Sequence, residues 1–101
     1  MFSDDYMFGF PPEPYALAAL LELLRRAAPG ASWMAAGLAV DIRPLIAAVV
    51  GASGHVRVGL EDAPFGSALG NVEWVEAAAA AIAAVGGALA TAAEVRAALA
   101  G

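Results

Sequence analysis

The sequence predicts an α/β fold of three parallel βα units. Strand-like and helix-like stretches alternate in the order β-α-β-α-β-α-α, which implies right-handed βαβ crossovers. The strands read as apolar runs, as buried parallel strands do. The most informative run is Gly54-His55-Val56-Arg57-Val58-Gly59-Leu60-Glu61-Asp62. Val56, Val58 and Leu60 alternate with His55, Arg57, Gly59 and Glu61, the period of a strand. One face is apolar. The other holds the only histidine of the chain, an arginine and a glutamate, and the run ends in two adjacent carboxylates. Polar residues gathering at the C-terminal end of a parallel strand suit a strand that delivers chemistry to a site.

Each element has a local cause. Residues 1–5, Met1-Phe2-Ser3-Asp4-Asp5, end in two carboxylates and read as a flexible, solvated tail. Tyr6-Met7-Phe8-Gly9-Phe10 is a short apolar run, read as the first strand, and Pro11, Pro12 and Pro14 stop it. From Pro14 to Ala28, Leu17, Leu20, Leu21 and Leu24 form one helical stripe. Arg25 and Arg26 sit in its last turn, where cations suit the helix dipole, and Pro29-Gly30 ends it. Ser32 to Leu38 is the second strand. Asp41 is placed to cap the next helix, with Pro44 in its first turn and Leu45, Ile46, Val49 and Val50 as its buried face. Gly51 closes that helix, and His55 to Glu61 is the third strand. A loop from Ala63 to Gly70 carries Pro64, Gly66 and Gly70. Asn71 then caps a helix running to about Val85, ended by Gly86-Gly87. Thr91-Ala92-Ala93-Glu94 is a capping box opening a last helix with Val95 and Leu99.

Composition narrows the function. The chain has 101 residues, 61% hydrophobic, and a net charge of −5, enough for one small domain. Much of the apolar count is alanine, which buries little area. There is no cysteine, so no disulfide framework and no thiolate metal site, in keeping with a cytoplasmic setting. The start is acidic where a secretory leader is basic. An acidic chain with no lysine argues against nucleic acid and membrane as partners. The long alanine-rich stretch between Glu76 and Glu94 is broken by Gly86-Gly87 and reads as a buried helix and its exit.

Three predicted strands cannot close a parallel barrel, which commonly needs eight. They form either a small open sheet or the end of something larger. Several short motifs favour the second. HVRVGLED at residues 55–62 resembles the last-strand motif of the β-keto acid cleavage enzymes, zinc-dependent (β/α)8 barrels. Ser32-Trp33-Met34-Ala35-Ala36-Gly37-Leu38 is similar to the family's seventh strand. Asn71, Glu73 and Val75 are similar to the segment after its active-site loop, and Leu89 to Arg96 to its C-terminal signature. The resemblance covers about Tyr6 to Leu99 and only strands six to eight of the barrel.

The resemblance implies a reaction: a β-keto acid and acetyl-CoA give acetoacetate and a new acyl-CoA. It also implies roles. Glu61 matches the zinc-binding glutamate, Asp62 the acid/base that takes a proton from the substrate-derived carbon, and Arg57 the arginine that orients and polarises that aspartate. Zinc can act there as a Lewis acid, with an adjacent carboxylate as base. Arg57 and Glu61 share a strand face; Asp62 has the opposite parity, which the turn after the strand can correct. The chain departs from the family pattern at several points. The family's His-x-His zinc pair is absent, since His55 is the only histidine. Ala63 stands where the family has Asn, Ala39-Val40 where it has Gly-Arg, and the glycine-rich loop is shortened to Gly9-Phe10-Pro11-Pro12-Glu13. One glutamate does not make a zinc site. The expectation is therefore one partial domain, a fragment of a longer enzyme, inactive alone, that self-associates or pairs with the missing barrel portion.

Other readings stand beside this one. His55 lies at the opposite strand end from the carboxylates and is read as structural. Arg57 can simply pair with Glu61 or Asp41. Trp33 and Trp74 are read as packing residues. The chain can also be a small non-catalytic α/β association module. A phosphate-binding half-barrel, suggested by Gly51-Ala52-Ser53-Gly54, is weaker because that loop precedes a strand rather than a helix.

Overall fold

A computed structural model describes residues 1–7 and 9–101. It is a small α/β structure with two parallel strands and four α-helices. Helix α1 spans Pro14–Ala27, strand β1 Met34–Ala36, helix α2 Ile46–Gly51, strand β2 His55–Arg57, helix α3 Asn71–Ala84 and helix α4 Ala92–Ala100. A 3-10 turn at Arg43–Leu45 leads into α2. β1 and β2 pair in parallel, Met34 opposite His55, Ala35 opposite Val56 and Ala36 opposite Arg57.

The predicted strand at Tyr6–Phe10 is a correction. Phe8 lies outside the described residues, and Tyr6 and Met7 are exposed and outside any strand. The Gly9 N–H donates to the Tyr6 carbonyl at 2.9 Å, closing a tight turn. The position beside β1 is taken by Phe2 instead, bridged in parallel to Gly37 and to Phe10. Its N–H donates to the Ala36 carbonyl and its carbonyl accepts from Leu38, both at 2.8 Å. Phe2 is 3% exposed, and Ser3, buried beside it, donates its hydroxyl to the Leu38 carbonyl at 2.7 Å. The expected tail over residues 1–5 is thus anchored at Phe2 and Ser3, while Asp4 and Asp5 are exposed. An aromatic ring has more to gain from burial than the two carboxylates that follow it.

The core joins Phe2, Ala16, Leu17, Ala35, Ile42, Leu45 and Val49, with Leu20, Leu21, Trp33, Val56 and Val58 packed against it. The α1 stripe and the apolar parity of β2 therefore face the same interior. Pro44 falls inside the 3-10 turn, where a missing N–H costs nothing. Asp41 acts one residue further out than a cap, its Oδ1 accepting the Arg43 N–H at 2.9 Å. Asn71 is the first residue of α3 rather than its cap, which is Gly70. α4 opens with the capping box at Thr91 and Glu94 but buries no residue. No described helix is long and apolar enough to cross a membrane.

Candidate functional site

The site begins where β2 ends. Strict alternation predicts a strand through Glu61, yet pairing stops at Arg57. Gly59 has φ of +157°, a conformation that side chains disfavour. Its carbonyl accepts from the N–H groups of Asp62 at 3.1 Å and Ala63 at 3.0 Å. This turn folds both carboxylates back onto Arg57 and corrects the opposite parity of Asp62.

Arg57 holds Asp62 in a two-pronged grip. Nε donates to Oδ2 at 3.1 Å and Nη2 to Oδ1 at 2.8 Å. Nη2 also reaches Glu61 Oε2 at 3.1 Å. Planar guanidinium matches planar carboxylate, so the fork fixes orientation as well as charge. The Asp62 side chain is 7% exposed, against 45% for Arg57 and 85% for Glu61. The hydrogen bonds donated to Asp62, then the charges of Asp62 and Glu61, raise the Arg57 pKa. The result is one shielded, oriented carboxylate next to one that projects into solvent.

The loop after β1 closes over the same point. The Val40 N–H donates to the Asp62 carbonyl at 3.3 Å. Gly37 permits this approach, because a Cβ there would lie 2.7 Å from the Val40 oxygen and 3.2 Å from the Asp62 oxygen. Beyond it, Arg43 is clamped by Asp41 at 2.7 Å and stacks 4.5 Å above the Trp74 ring. The Trp74 indole N–H donates to the Ser67 hydroxyl at 2.9 Å. Trp74 is buried, the packing role expected of it, and its ring borders a small recess beside Arg57 and Asp62.

The predicted trio Arg57, Glu61 and Asp62 is brought together. His55 is not part of it; it sits at the N-terminal end of β2, exposed, beside Ser53 and Gly54. Asp41 pairs with Arg43 and not with Arg57. No group of three or more His, Asp or Glu among the described residues could hold a metal ion. Both Asp62 oxygens are engaged by Arg57, which leaves Glu61 as a single donor. The residues present do not fit a complete zinc site.

Sequence reasoning missed Gly59 and Asn71 as parts of the site. Asn71 Oδ1 accepts the Leu60 N–H at 2.8 Å, tying the start of α3 to the turn. A glycine inside a strand pattern, just before the acidic pair, was the available signal.

Comparison with curated proteins and with solved structures finds no match. Residues 1–100 match the family model of the beta-keto acid cleavage enzyme. With the match spanning nearly the whole sequence, including the strand, the turn and the Arg57–Asp62 grip, the chain belongs to the beta-keto acid cleavage enzyme family.

Proposed function

We propose that the chain is the C-terminal βα portion, strands six to eight, of a zinc-dependent β-keto acid cleavage barrel in the cytoplasm. Its reaction converts a β-keto acid and acetyl-CoA into acetoacetate and an acyl-CoA. The single observation that carries this reading is the Arg57 fork on a shielded Asp62, with the exposed Glu61 paired to the same guanidinium beside it. Asp62 takes the proton from the substrate-derived carbon, and Arg57 holds its carboxylate in line for that transfer. Glu61 is the one zinc ligand this chain offers; the other ligands lie on a strand with the His-x-His pair. Alone, the chain is inactive, because a catalytic zinc site takes about three protein ligands.

The reading is tested first on the coding DNA upstream of Met1, where an open frame is expected to encode a His-x-His strand. An in-frame stop there would reduce the catalytic reading to ancestry. In the completed polypeptide, Glu61→Ala should remove both zinc and turnover. Asp62→Asn should leave zinc bound and abolish acetoacetate formation. Turnover by the 101-residue chain alone, or by the completed Asp62→Asn variant, would overturn the assignment.

A second reading, a non-catalytic association module, is favoured by the apolar groove beside β2. Met34, Val56, Val75, Ile82 and Leu89 line it, and Met34, Val75 and Leu89 are well exposed. Such a module would be stable, have a defined oligomeric state and ignore zinc. Zinc uptake on addition of the histidine-bearing portion separates the two.

A further inference from the structure

We infer that Asn71 is a positioning residue for the Glu61–Asp62 pair, an inference that rests on reading Asp62 as the base. Asn71 is the first residue of α3, one past its Gly70 cap, and α3 has no side-chain cap. The Asn71 side-chain oxygen reaches out of the helix and accepts from the Leu60 N–H, eleven residues earlier, at 2.8 Å. Leu60 is the second residue of the turn that carries both carboxylates.

The neighbouring atoms are arranged for that contact. Gly59 leaves room for it: a Cβ there would sit 3.2 Å from Asn71 Oδ1, close enough to push it back, in a backbone conformation already unfavourable for a side chain. The Gly59 carbonyl is held by the Asp62 and Ala63 N–H groups. Asn71 therefore pins one side of the turn, the Gly59 carbonyl its middle, and the Val40 N–H its far side through the Asp62 carbonyl. Arg57 can grip Asp62 with both nitrogens only while the turn keeps this shape. Asn71 touches no carboxylate; it acts through the backbone that aims them. Asp at the same position can accept the same N–H, whereas Leu cannot, and Ser is too short to span the gap.

The test uses the isotopically labelled 101-residue chain and reads proton exchange at the Arg57 Nε–H, the donor to Asp62. Asn71→Leu and the milder Asn71→Ser should speed that exchange about five- to tenfold, the loss of one net hydrogen bond. Asn71→Asp should restore the slow exchange. Helix content by circular dichroism checks that each variant is folded. Unchanged Arg57 exchange in folded Asn71→Leu and Asn71→Ser would overturn the inference, as would fast exchange in Asn71→Asp. The readout needs no turnover, so it is separable from the function itself. Cleavage retained by the completed Asp62→Asn enzyme would sink the base assignment while leaving the exchange result in place.

Discussion

Ala39 shows how a single residue can carry backbone strain. It lies at φ of +57°. For an L-residue the left-handed region costs about 1–2 kcal/mol, because Cβ crowds the backbone oxygen. The cost is borne in the loop whose next residue, Val40, donates to the Asp62 carbonyl. Ala39→Gly should relieve it. Glycine's greater freedom in the unfolded chain offsets part of the gain, leaving about 0.5–1 kcal/mol of added stability. A denaturant titration should place the variant's midpoint above that of the parent. A lower midpoint would mean that Ala39 is held there by packing rather than tolerated. Arg57 makes the complementary point. Its value to the site lies in geometry, since a half-exposed ion pair adds little to folding.

Among the elements, α4 is held by its N-terminal cap rather than by its faces. None of its residues is buried, and Val95 and Leu99 are exposed. Nine residues are too few for a helix to persist in water without help. The help comes from the capping box: the Thr91 N–H and hydroxyl donate to Glu94 Oε2 at 2.7 and 2.8 Å, and the Glu94 N–H donates to the Thr91 hydroxyl at 3.2 Å. The Thr91 backbone N–H, then its hydroxyl, lowers the Glu94 pKa below its ordinary 4.5. Asp41, gripped by Arg43, and Glu22, gripped by Arg25 and Arg26, are lowered likewise. A carboxylate depressed in the folded state contributes its stability above the ordinary value. That contribution is lost as pH falls through the folded value. Helical circular dichroism should therefore hold steady near neutrality and decline from about pH 5 downward. Thr91→Ala should cost α4 about 1 kcal/mol and reduce, without removing, its part of the acid-dependent change, because the backbone N–H that holds the Glu94 carboxylate is kept. An acid profile identical in parent and variant would show that α4 is held by contacts other than the box.

Across the whole molecule, the distribution of apolar surface matters most. The interior is assembled from α1, the buried residues of α2 and one face of the strands, around Leu45, Ile46 and Val49. Outside it, Met34 is 60% exposed, Leu89 65% and Phe65 80%. Beyond Phe2 and β1, β2 forms the other edge of the sheet among the described residues. An open edge with apolar neighbours is a template for another chain. The 101-residue chain is therefore expected to self-associate with rising concentration in analytical ultracentrifugation. Adding the histidine-bearing barrel portion should convert those species into a single defined complex. A monomer over the whole concentration range, indifferent to that addition, would remove the proposal that these surfaces seek a partner.

The sequence by itself determined the alternation of helix and strand from α1 onward, the leucine stripe of α1, the capping box and the family. Each is written in local spacing: periods of two and about 3.6 residues, a Thr three positions before a Glu, and short motifs in a fixed order. It also named Arg57, Glu61 and Asp62, because a strand's alternation and a paired carboxylate are visible along the chain. Only the tertiary structure decided how those three meet. Asp62 had the wrong parity for a strand, and the turn at Gly59, pinned by Asn71 and Val40, brings it round. Only the tertiary structure decided which segment lies beside β1 as well. Two short apolar runs competed for that place, at Phe2 and at Tyr6–Phe10. Local pattern favours the longer, but burial of the Phe2 ring and the two backbone bonds to Ala36 and Leu38 select the shorter. Long-range pairing is settled by what remains to be satisfied once the core has formed, and no local spacing encodes that.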